Sequence, residues 1–251
     1  MEADQLDGLV ARVHRVLVGE PDPPVVPGRM WSLGLYKSVE LVLFLVRQNP
    51  VQEVAAELFG VNQATASRRW NTLLLVVEKV LAGHVPDPAE ASASRIALID
   101  GTLVTTWDWA SEGTRIFSGK HRDTGFNLQI AATLAGDLLA VSEPVPGSRH
   151  DTFAWGQSHF PEAFAEREKL RDLSYLGTGM HTGRRRPPGR ERSTGDKEAN
   201  RSINTLRAAV ERAIAHLKDW KVLATRHRGP LTRFPAVIKT VTALAFYKKG
   251  W

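Results

Sequence analysis

The chain has 251 residues, no cysteine and a formal net charge of +6; 43% of its residues are hydrophobic and 24% are charged. These values are ordinary for a globular protein with material for one large core or two unequal ones, and they exclude disulfides and thiolate zinc sites. The first residues are acidic rather than basic-then-apolar, and the apolar run 41–46 is too short to span a bilayer. The expectation is a cytoplasmic protein with no membrane partner.

In chain order, a helix is expected over residues 6–18, followed by a proline-rich stretch (Pro21, Pro23, Pro24, Pro27). Residues 33–81 carry helical periodicity throughout, and 85–94 have the composition of a linker. The period then shortens, and strands are expected at 95–109, 115–120, 125–134 and, after the Gly136-Asp137 turn, 138–143. Residues 152–169 read as a helix interrupted at Pro161. Next come a short strand at 170–175, a mobile Arg/Pro/Gly-rich loop at 183–195 and a long helix at 197–220. The organisation is thus an all-α leader over 1–90, a linker ending at 91–94, and a second domain over 95–251. A β-meander followed by helix, strand and helix is the order of an α/β ribonuclease-H-like core, a mixed sheet flanked by helices.

Charge follows this division. Residues 1–90 hold 8 Lys and Arg against 11 Asp and Glu, whereas residues 171–251 hold 18 against 6. So basic a C-terminal third points to a polyanionic partner, because cations that neutralise phosphates release counterions. Within the leader, residues 52–70 fit a helix-turn-helix. Ala56 is the small residue at the helix crossing, Gly60 ends the first helix, Val61 plugs the turn and Asn62 caps the second. The second helix would then present Gln63, Thr65, Ser67, Arg68 and Arg69 to DNA. A tight helical corner with no DNA role has the same pattern.

Three acids stand out. Asp100 closes the apolar run Ile96-Ala97-Leu98-Ile99, Asp172 precedes Leu173-Ser174-Tyr175, and Glu211 lies in the long helix. Three converging carboxylates form a hard oxygen site for a pair of divalent ions, a device for in-line phosphoryl displacement. Asn204, Arg207, Glu211 and Lys218 fall on one polar stripe, with Leu206, Ala209, Val210, Ala213 and Leu217 expected on the opposite face.

The spacing Asn204-x2-Arg207-x3-Glu211-x6-Lys218 resembles the Tyr-Arg-Glu-Lys signature of DDE transposases from bacterial insertion sequences, with Asn204 in place of the Tyr. The segments Ile99-Asp100-Gly101-Thr102, Phe117-Ser118-Gly119-Lys120-His121-Arg122, Pro146-Gly147-Ser148-Arg149-His150-Asp151 and Tyr175-Leu176-Gly177 are similar to the Harbinger-related subgroup. The resemblance implies that Asp100, Asp172 and Glu211 hold two Mg²⁺ or Mn²⁺ ions, with Asp151 as the alternative second ligand or else the cap of the helix that follows it. It implies strand cleavage at element ends and joining of the 3′-hydroxyl to target DNA, without a covalent enzyme intermediate. Arg207 and Lys218 would hold phosphates of the element end, and Lys120, Arg149 and Arg184-Arg185-Arg186 would contact DNA. His121 and His150 could bind metal or DNA, and Trp107, Trp109 and Trp155 could stack on a base. The implied partners are double-stranded terminal inverted repeats, target DNA and a second copy of the chain, in a dimer or larger synaptic assembly at the nucleoid. A metal-dependent endonuclease without transposition, or a decayed copy that only binds DNA, remains open, since Asn204 and Ser174 depart from the family pattern.

Overall fold

The computed structural model describes residues 1–18, 32–88, 96–107, 112–165, 168–171, 181–182, 191 and 193–249. The chain divides into two units: Met1–Val85 with Asp219–Trp251, and Pro86–Lys218. Residues from Asp219 onward therefore group with the leader, whereas the sequence pattern assigned them to the second domain.

The helical unit starts with α1 (Ala3–Val18), whose Leu9 and Val13 are buried one turn apart. The periodic run at 33–81 resolves into α2 (Leu35–Gln48), α3 (Gln52–Leu58) and α4 (Gln63–Leu81). The first break follows from Asn49, which takes the left-handed conformation (φ 49°) and returns its N–H to the Leu45 carbonyl ahead of Pro50. The second break is at Gly60 (φ 66°): the Gly60 N–H bonds Glu57 O and the Val61 N–H bonds Ala56 O, a Schellman closure. Asn62 then caps α4 by accepting the Thr65 N–H at 2.8 Å. Leu41, Leu45, Ala55, Ala56 and Ala66 form the core of this corner, and Val61 packs onto it as expected.

Two further helices complete this unit, α8 (Lys221–Ala224) and α9 (Phe234–Lys249) among the described residues. Phe234, Val237, Ile238, Val241, Leu244 and Phe246 of α9 are buried, and so are Thr240 and Thr242. The one Thr240 hydroxyl proton has two acceptors in reach, Leu74 O on α4 at 3.2 Å and Ala236 O one turn back in α9 at 2.9 Å, which satisfies it inside the core. A helix buried on most sides has no amphipathic stripe to give it away. No helix among the described residues is long and apolar enough to cross a membrane.

The second unit is built on a mixed sheet. Its strands are β1 (Ile96–Thr105), β2 (Phe117–Ser118), β3 (Asp123–Ala132), β4 (Leu138–Val141), β5 (Val145–Pro146), β6 (Glu168–Arg171) and β7 (His181–Thr182). The order is β2-β3-β1-β6-β7, with β4 and β5 also on β3. β3 pairs antiparallel with β1, β4 and β5, while β6 runs parallel to β1 and β7 parallel to β6. Helices α5 (Asp151–Gln157), α6 (Phe160–Ala163) and α7 (Thr194–Lys218) flank it. A mixed sheet with this order, flanked by helices, is consistent with the ribonuclease-H-like expectation.

Several boundaries move. The strand expected at 95–109 ends at Thr105, and of that expected at 115–120 the first two residues belong to a 3₁₀ turn, Gly113–Ile116, the next two form β2 and the last two lie in the following turn. The expected helix 152–169 breaks at Ser158, restarts with Pro161 in its first turn and gives way to β6 by Glu168. Proline is tolerated there because the first-turn N–H needs no partner. The long helix runs Thr194–Lys218.

Candidate active site

Asp100 lies in the middle of β1, opposite Ile130 of β3, and not at a strand end. Alternation along the strand separates two faces. Leu98, Asp100 and Thr102 share one face with Ile130 and Leu128; Ile99, Gly101 and Leu103 share the other with Ala131, Gln129 and Asn127. Helix α7 lies on the Asp100 face, where its Arg207 reaches the carboxylate. On the other face, Trp155, Phe160 and Phe164 of the α5–α6 segment bury Ala97, Ile99 and Ala131. Burial takes Trp155 out of the set of stacking candidates; Trp107 is 66% exposed, and Trp109 lies outside the described residues.

The two described acids of the expected triad meet at one guanidinium. Arg207 Nη2 is 3.5 Å from Asp100 Oδ2 and 4.0 Å from Glu211 Oε1, one helical turn further along. Asp100 is recessed, with 18% of its side chain exposed, whereas Glu211 stands at the rim at 62%. The Gly101 N–H donates to Asp100 Oδ1 at 2.8 Å and fixes the carboxylate orientation. Burial pushes the Asp100 carboxyl above its usual range, against the pull of Arg207 and of the Gly101 N–H; nearby Asp151 adds to the rise. Two carboxylates that share one guanidinium offer oxygen donors of the kind Mg²⁺ or Mn²⁺ takes. Among the described residues no three acidic or histidine side chains come together as a metal cage. Asp172, the expected third ligand, lies outside the described residues, as do Arg184, Arg185 and Arg186.

Asp151 occupies the Gly101 face. Its Oδ1 accepts from Asn127 Nδ2 at 2.6 Å and its Oδ2 faces Lys120 Nζ at 3.3 Å; Gln129 Nε2 in turn donates to Asn127 Oδ1 at 3.3 Å. Glycine at position 101 leaves room for this arrangement: a Cβ there would sit 2.7 Å from Asp151 Oδ1 and 3.1 Å from Gln129 Nε2, so these side chains would have to shift. Asp151 is the first residue of α5 and provides no side-chain cap, so its expected capping role is replaced by a bridge to β3 and to the turn before it. Two amides two residues apart inside an apolar strand, Asn127 and Gln129, were the sequence signal for this network. Both are buried.

The polar stripe on α7 borders the buried face and does not oppose it. Ala209, Val210, Ala213 and Leu217 are buried, yet Arg207 and Lys218 also reach the sheet. Lys218 Nζ donates to Leu103 O at 3.0 Å, and burial lowers its pKa. His121, beside Lys120 and Lys218, has its pKa lowered by burial first and by those cations next, with Asp151 opposing. Arg149 and His150 are exposed in the loop before α5.

In the helical unit, the first turns of α4 carry the other set of candidates. Gln63 is exposed and donates to Gln52 Oε1 at 2.9 Å. Thr65 is buried, at 7% exposure, and its hydroxyl accepts from Arg68 Nη2 at 3.3 Å. It therefore faces the core and is not presented with the others. Arg68 is exposed, while Ser67 and Arg69 are half-buried.

A family model described as DDE superfamily endonuclease matches residues 99–245. The chain is 29% identical over 213 residues to the "Putative transposase for insertion sequence element IS112" of Streptomyces albus G, an alignment covering 83% of this chain and 78% of that protein. No solved structure matches the chain.

Proposed function

The chain belongs to the DDE superfamily endonucleases, and on that basis we propose that it is the transposase of a bacterial insertion sequence. In this reading it binds element-end DNA, cuts it in a metal-dependent reaction and joins the freed 3′-hydroxyl to target DNA. The observation that carries the proposal is the meeting of Asp100 and Glu211, from a strand and a helix far apart in sequence, at Arg207.

Asp100, Asp172 and Glu211 would hold two Mg²⁺ or Mn²⁺ ions. When bound, such a pair supplies activation of the attacking oxygen and stabilisation of the leaving 3′-oxygen. Asp172 follows β6 in the chain, the strand that runs parallel to β1 beside Asp100. Asp151 is the weaker alternative, because Lys120 and Asn127 engage both its oxygens on the other face. Arg207, which balances the two carboxylates, would turn to a DNA phosphate once metal takes over that charge. Lys218 has three donors and spends one on Leu103 O, so it can brace α7 and still meet a phosphate. Lys120, Arg149 and Arg184–Arg186 would add contacts to the DNA backbone.

The α3–α4 corner would act as a helix-turn-helix for the terminal repeats. Gln63 and Arg68 would lead, Ser67 and Arg69 support, and Thr65 would hold Arg68 from below. Two element ends must be held at once, so the working form would be a dimer or larger assembly at the nucleoid.

The test is incubation with a supercoiled plasmid carrying the element ends and Mn²⁺, alongside Asp100→Asn, Asp172→Asn, Glu211→Gln and Asp151→Asn. Loss of cleavage by about a thousandfold in the first three supports the triad. Full activity in all three would overturn it, and loss in Asp151→Asn but not Asp172→Asn would move the second ligand. Cleavage without joined products would reduce the function to that of a nuclease.

A further inference from the structure

The groove beside Gly101 is cationic and carries an exposed aromatic ring. Its lining includes Lys120 and His121 from the turn between β2 and β3, and Arg149, His150, Asp151 and Phe153 from the segment entering α5. Asp151 is the one acid among the described lining residues, and Lys120 already faces it at 3.3 Å. The Arg149 guanidinium stands 4.9 Å from the centre of the Phe153 ring, which is 42% exposed.

An exposed ring alone carries no message. A ring paired with a guanidinium and set in a cationic groove offers what a nucleotide needs: a flat surface for the base and cations for its phosphate. An intact duplex hides the faces of its bases in the stack, so a stacking surface of this kind suits unpaired nucleotides. We propose that this groove holds a single-stranded stretch of DNA, with a base stacked on the Phe153–Arg149 pair and the backbone phosphates against Lys120 and His121. The proposal rests on the nuclease reading above, since strand cleavage at an element end is what frees unpaired nucleotides near the site.

The experiment measures fluorescence anisotropy of a labelled oligothymidylate and of a blunt duplex of equal length, using the full chain in EDTA so that neither is cut. Phe153→Ala is expected to weaken single-strand binding by roughly 5- to 150-fold, the range for loss of one base–aromatic stack, and to leave duplex binding within about twofold. Phe153→Trp should restore it. Arg149→Lys, which keeps the charge and loses the plane, should weaken it partly. Unchanged single-strand binding in Phe153→Ala, an equal loss on both DNAs, or a wild-type protein that does not bind the single strand would each overturn the proposal. Metal-dependent cleavage of the element-end plasmid by the wild-type protein, run in parallel, shows whether the nuclease reading stands independently, and an unchanged melting temperature shows that Phe153→Ala is folded.

Discussion

In the sheet unit, buried polar side chains are linked to one another: Gln129 to Asn127, Asn127 to Asp151, and the Gln129 N–H to the Ser142 hydroxyl at 2.9 Å. Among the described residues of the helical unit the interior is mostly apolar, and buried polar groups such as the Thr242 hydroxyl and the ring of His227 are linked to no other side chain. His227 is 2% exposed, with its ring centroid 5.1 Å from that of Phe234. Burial drives its pKa down to about 4, with the nearby Pro230 carbonyl opposing weakly. The contrast separates two uses of the interior. Beside Asp100, a connected network holds backbone and side chains to one geometry, which a site needs. In the helical unit, shape and apolar area supply rigidity, and an isolated polar group is tolerated at a cost in stability.

The largest expected effect tests the unlinked side of this comparison. A base whose pKa is lowered by folding is protonated first in the unfolded chain. Its contribution is therefore fully present above about 6.5 and is lost as pH falls towards about 4. The loss approaches about 3 kcal/mol at roughly 1.4 kcal/mol per pKa unit. Denaturant unfolding between pH 7 and 4 should show it, and His227→Phe should flatten that slope; an identical slope in the variant would break the contrast.

Next in size, Gly101→Ala forces a Cβ against Asp151 and Gln129. A loss of about 1–3 kcal/mol is expected from overpacking, together with a fall in plasmid cleavage, because the Gly101 peptide orients Asp100. Melting temperature and cleavage rate measured on the same preparation check both. Activity retained at wild-type level would mean that the network does not hold the site.

The smallest effect is Asn62→Ala. Loss of the α4 cap should cost about 1 kcal/mol and weaken duplex binding more than oligothymidylate binding if the α3–α4 corner reads element ends. Anisotropy on both DNAs decides it, and equal weakening would argue against that reader.

Much of the fold was legible because it is written in short-range chemistry. Gly60 and Asn62 are residue types that stop and start helices on their own, and both do so here. The apolar run before Asp100 marks β1, and the 3.6-residue spacing of Ala209, Val210, Ala213 and Leu217 marks the buried side of α7. The helix α9 was not legible, since burial on most sides erases the periodicity that marks a surface helix. Its grouping with the leader depends on contacts between residues far apart in the chain, such as Thr240 to Leu74. Thr65 looked like part of a DNA-reading face because its residue type suits one. Only packing, which buries it, says which way that side of α4 turns.

For the candidate site, the sequence by itself determined which side chains are on offer: carboxylates at 100, 172 and 211, cations at 207 and 218, and a glycine next to the first acid. Tertiary structure decided the partners. It joined Asp100 to Arg207 and Glu211 on one face of β1, and it assigned Asp151 to Lys120 and Asn127 on the other. The physical reason is that side-chain type fixes what a group can bind, whereas strand alternation and long-range pairing fix which groups meet.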